Sequence, residues 1–142
     1  MAVLAQSAEI CYTEPERKCF PVRCDCHIHM VLDGADWKRA IARHSGSVDE
    51  VWVRRVLETY RKLGFTYLRD GGDRWGVGAK ARALAPEYGI RLVTPLAPLC
   101  MAGHYGGFIG TKYEDIRQYA ALVGSMRAQG ADFVKLMISG LM

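Results

Sequence analysis

Three times along the chain an amphipathic stretch ends in a glycine and a short apolar run follows: RKLGFTYLRD, PEYGIRLVTP and RAQGADFVKLMI. Gly64, Gly89 and Gly130 stand where the end of a helix needs a residue with positive φ. Each run after them reads as a strand buried on both faces, the pattern of a parallel sheet. Upstream, Val53, Val56, Leu57, Tyr60 and Leu63 form one apolar stripe at helical spacing, and Ile116, Tyr119, Ala120, Val123 and Met126 form another. Ser47 with Glu50, and Thr111 with Glu114, fit the capping box, a hydroxyl followed three residues later by an acid. A weaker helix over 78–88 must kink or end at Pro86.

With an apolar stretch at 22–29 and a short helix near 37–44, the expected order is strand 22–29, two helices, strand 65–70, helix, strand 90–97, helix, strand 133–138. This alternation predicts an α/β fold with parallel strands and right-handed crossovers. Two architectures fit. One is a doubly wound open sheet. The other is the first half of a TIM (β/α)8 barrel, about four βα units of a fold that takes roughly 200 residues or more. On the second reading, 1–20 is a lead segment and 21–142 is the N-terminal half of a truncated barrel.

Composition narrows the function classes. The chain has 142 residues, enough for one domain with a sizeable core, and half of them are hydrophobic. A net charge of +4 forms no basic block interleaved with aromatics, so nucleic acid is not an expected partner. The opening residues lack the pattern of a secretion signal and no apolar run is long enough to span a membrane. Cys11, Cys19, Cys24, Cys26 and Cys100 are odd in number and fit no disulfide framework, which points to reduced thiols and a cytoplasmic protein.

The chemistry concentrates in a few places. In VRCDCHIHM, period-2 alternation puts Asp25, His27 and His29 on one strand face, and Cys24, Cys26, Ile28 and Met30 on the other. Two imidazoles one rung apart can reach one divalent ion. A single zinc site built from Cys24, Cys26, His27 and His29 is excluded by the same alternation. In DFVKLMI, Lys135 is the lone charge in an apolar run. Such a lysine either snorkels or pairs with a carboxylate such as Asp70, or serves as a nucleophile toward a carbonyl or carbon dioxide. Asp70 and Asp73, in RDGGD, could bind metal or substrate, or shape and cap the turn. His104 sits in a glycine-rich loop able to close over a ligand. Gly76-Val-Gly78-Ala-Lys-Ala81 matches a dinucleotide-binding turn loosely, with a long gap after the strand and no acid at the end of the next one.

The ordered set DCHIH, GFTYLRDGGD, AGHYGG and GADFVKLMISG resembles the amidohydrolase superfamily, nearest the branch with imidazolonepropionase-like and Xaa-Pro dipeptidase-like enzymes, over 22–142. The resemblance implies a metal-dependent hydrolase of C–N bonds in amides, lactams or peptides. It implies His27 and His29 as metal ligands and Lys135 as a carbamate bridging one or two divalent ions, zinc first, with manganese or iron as alternatives. His104 would contact the carbonyl or substrate, Asp70 and Asp73 would bind substrate, and Asp25 would support the histidines from behind. The family's later histidines and its aspartate base belong to strands that this chain does not contain. The parent enzyme is expected to be a homo-oligomer acting on a small molecule, and the half-barrel is expected to self-associate and to be inactive alone. The rival readings are a nucleotide-binding open sheet and a non-catalytic piece that needs a partner half.

Overall fold

A computed structural model describes residues 22–138; the lead segment 1–20 and the final residues 139–142 lie outside them. In chain order the elements are strand β1 (Arg23–Ile28), helices α1 (Trp37–Ala42) and α2 (Glu50–Lys62), strand β2 (Phe65–Asp70), and helix α3 (Val77–Leu84). A 3₁₀ turn (Ala85–Tyr88) follows, then strands β3 (Arg91–Val93), β4 (Leu99–Met101) and β5 (Thr111–Tyr113), helix α4 (Ile116–Ala128) and strand β6 (Leu136–Met137). The fold is mixed α/β with parallel pairing throughout: one sheet in the order β1-β2-β3, a second in the order β5-β4-β6.

The expected helices form, and the three glycines after them have φ of +81°, +67° and +82°. Their starts differ from expectation. Asp49, not Ser47, caps α2, accepting from the Trp52 N–H at 3.0 Å. Asp115, not Thr111, caps α4, accepting from the Gln118 N–H at 2.8 Å. In both cases a carboxylate stands directly before the first turn, where its charge faces the positive end of the helix. Thr111 is drawn into β5 opposite Leu99 instead.

The strand expected over 90–97 is interrupted. Pro95 and Pro98 remove two ladder donors, Leu96 takes φ +67°, and the chain resumes as β4. The last segment follows both pieces, with Asp132 N–H donating to the Thr94 carbonyl (3.0 Å) and Leu99 N–H to the Lys135 carbonyl (2.8 Å). Only two residues of the expected strand 133–138 have regular pairing.

Burial on both strand faces is not found. In β2, Leu68 and Asp70 are buried while Arg69 between them is exposed. The helices cover one face only, where Ile28, Leu68 and Leu92 meet Val53 and Leu57 of α2 and Val77 and Ala81 of α3. Ala97, Leu99 and Met126 form a smaller cluster against Tyr113, Tyr119 and Val123. Leu63 and Ile116, at the ends of their stripes, fall outside both clusters and are exposed. No helix among the described residues is long and apolar enough to cross a membrane.

Candidate metal centre

The expectation that Asp25 shares a face with both histidines is corrected by the strand register. Asp25 pairs with Leu68 and Ile28 with Asp70, so β1 takes three steps where β2 takes two. The extra residue is a bulge, and it reverses which side the residues before it face. Asp25 therefore lies with buried Leu68 on the helix-covered side, where its carboxylate accepts from the Tyr60 hydroxyl at 3.4 Å. It also accepts from the backbone N–H of His27 at 3.2 Å, a contact that holds the bulge and touches neither imidazole ring.

Beyond the bulge, His27 and His29 both face one open cavity of about 530 Å³, with ring centroids 5.5 Å apart. His29 is half-buried, and its Nδ1 lies 3.2 Å from the Gly72 carbonyl. A carbonyl only accepts, so Nδ1 carries the proton and Nε2 keeps its lone pair, the form a metal needs. Burial lowers the His29 pKa, with the Gly72 bond opposing that and the nearby His27 and Lys135 adding to it. The ring is neutral at pH 7. Gly71 packs against it so closely that a Cβ at position 71 would overlap the imidazole.

Lys135 reaches the same cavity from the far end of the chain. Its Nζ lies 3.4 Å from His27 Nε2. An ammonium has donors only, so in this contact His27 Nε2 accepts. The lysine is half-buried and not sealed in a dry core, because the cavity is open. The apolar walls come from Leu32, Tyr105, Phe108, Ile109 and the strand residues around Met137.

The other candidate residues stand apart from this cluster. Asp70 is fully buried, accepting from Met30 N–H (3.0 Å) and the Thr94 hydroxyl (2.8 Å), and burial pushes its pKa up to about 6. It thus ties together the ends of β1, β2 and β3. Asp73, also buried, accepts from the N–H groups of Trp75 (2.8 Å), Val77 (3.0 Å) and Gly78 (2.8 Å). The donors at the start of α3 that a phosphate would use are already taken by this carboxylate. His104 is exposed, and its loop turns Tyr105 and Phe108 into the cavity instead. Those two aromatics escaped the sequence reading. Their only local signal was the presence of large rings in a glycine-rich loop, HYGGF. Cys24, Cys26 and Cys100 are free thiols.

Two imidazole nitrogens and one amine thus converge, while among the described residues no group of three His, Cys, Asp or Glu side chains is arranged to hold an ion. A catalytic zinc usually takes three protein ligands. The donor set fits such an ion in kind, neutral imidazole nitrogen, and falls short in number. Comparison with protein-family models, with characterised proteins and with solved structures returned no match.

Proposed function

We propose that this chain is the N-terminal half of a metal-dependent hydrolase barrel of the amidohydrolase type, acting on amide, lactam or peptide C–N bonds. The observation that carries the reading is the meeting of His27, His29 and Lys135 in one cavity, brought from segments more than a hundred residues apart. Among the described residues, parallel strands with helices packed against one face support the half-barrel.

In this proposal His27 and His29 hold the ion, zinc first and manganese or iron as alternatives. A bound divalent ion would supply a water whose pKa is lowered toward about 7 and would polarise the scissile carbonyl. Lys135, as a carbamate formed with carbon dioxide, would add the anionic oxygens that two imidazoles lack. Asp70 and Asp73 act as positioning residues: Asp70 fixes the chain next to His29 through Met30, and Asp73 fixes the start of α3. The general base would come from the half of the barrel that completes the site. The nucleotide-binding alternative draws no support from the Gly76–Ala81 turn, whose donors serve Asp73.

Metal uptake tests the proposal. After dialysis against zinc, elemental analysis should find the ion in the wild-type chain and little in the His27→Ala/His29→Ala variant. Equal metal in both removes the histidines from the site.

A further inference from the structure

The charge of the cavity is one-sided. Its basic lining groups are His27, His29 and Lys135, and none of the ten lining residues is a carboxylate. Among the described residues Lys135 has no carboxylate within ion-pair distance; its one side-chain polar contact, to His27 Nε2, leaves further ammonium donors unused. An ammonium beside apolar walls, partly removed from water, draws a counter-anion more strongly than an exposed one does. The rest of the lining is hydrocarbon and aromatic. Tyr105 and Phe108 stand with centroids 5.9 Å apart, and Met137 and Leu32 complete the wall. A few polar groups gathered at one end of an apolar cleft is the usual form of a small-molecule site.

We infer that the cavity takes an organic carboxylate with an apolar body, its charge beside Lys135 and its hydrocarbon against Tyr105, Phe108 and Met137. The inference goes beyond the proposed function and concerns the metal-free chain, in which Lys135 carries an ammonium and not the carbamate of the metal-loaded site. An inorganic anion would satisfy the lysine and leave the apolar wall wet. A neutral amide of the same shape would fill the wall and leave the ammonium without a partner.

Calorimetric titration of the chelator-treated full chain with hydrocinnamate, hydrocinnamamide and inorganic phosphate decides this. Hydrocinnamate should bind about tenfold more tightly than either of the others. Lys135→Met should abolish the preference over the amide, and Lys135→Arg, which keeps the charge, should retain it. Equal affinity for acid and amide, or a preference that survives Lys135→Met, overturns the inference. If Lys135→Met does not fold, the three-ligand comparison on the wild type still decides. Zinc titration of the wild type and of His27→Ala/His29→Ala, run without the acid, separates the two readings. Zinc uptake without a carboxylate preference overturns only the ligand class; a carboxylate preference without zinc uptake overturns only the metal.

Discussion

Asp70 offers the sharpest quantitative test, because its carboxylate is buried where ordinary physics disfavours its charge. Its pKa rises from an ordinary 3.8 to about 6, chiefly through burial, partly offset by bonds from Met30 N–H and the Thr94 hydroxyl. The folded chain therefore keeps a proton on Asp70 between those two values, where the unfolded chain has lost it. Stability from this group must rise as pH falls from 7 through about 6 and level off below 3.8. At about 1.4 kcal/mol per pH unit, the whole effect is about 3 kcal/mol. Other groups titrate nearby. His29 and His44 have lowered pKa values, so they cost stability as pH falls through the normal imidazole range. The comparison with Asp70→Asn cancels them. The amide keeps an acceptor for Met30 N–H, and the Thr94 hydroxyl can turn from donor to acceptor. Urea unfolding followed by circular dichroism at pH 7 and pH 4 is the assay. Between the two, wild type should gain about 2 kcal/mol on the variant, most of the whole effect. A gap between them that does not change with pH would refute the reasoning, and with it the placement of a desolvated carboxylate where β1, β2 and β3 meet.

Two further outcomes follow from the same geometry. Gly71→Ala places a methyl group where the His29 ring lies, so it should cost about 1–3 kcal/mol and weaken zinc binding, read by thermal melting and zinc titration; unchanged zinc affinity would show that His29 is not held by this packing. The outer side of β1, unpaired among the described residues, and the exposed Val134, Leu136 and Ile138 along the last segment should drive self-association, visible as a concentration-dependent mass in sedimentation; a monomer at every concentration would count against an unpaired barrel edge.

What the linear pattern determined is what lies within a few residues of chain. Helical spacing located α2, α3 and α4, and the glycines closing α2, the 3₁₀ turn and α4 have the positive φ that their positions require. Alternation put His27 and His29 on one side, and an isolated lysine in an apolar run marked Lys135. These are local preferences, set by backbone sterics and by side-chain period. Register is not local. The bulge that turns Asp25 away from the histidines exists only because β1 must match β2, about forty residues on. The choice of Asp49 and Asp115 over the hydroxyl caps depended on where each chain segment entered its helix, and Thr111 was claimed by Leu99. Asp70 and Asp73 looked alike in RDGGD, but burial and the donors around them gave one a knot of three strands and the other a helix cap. Only tertiary structure brought Lys135 to His27, because contact across 108 residues of chain depends on how the strands stack and on no property of either segment alone.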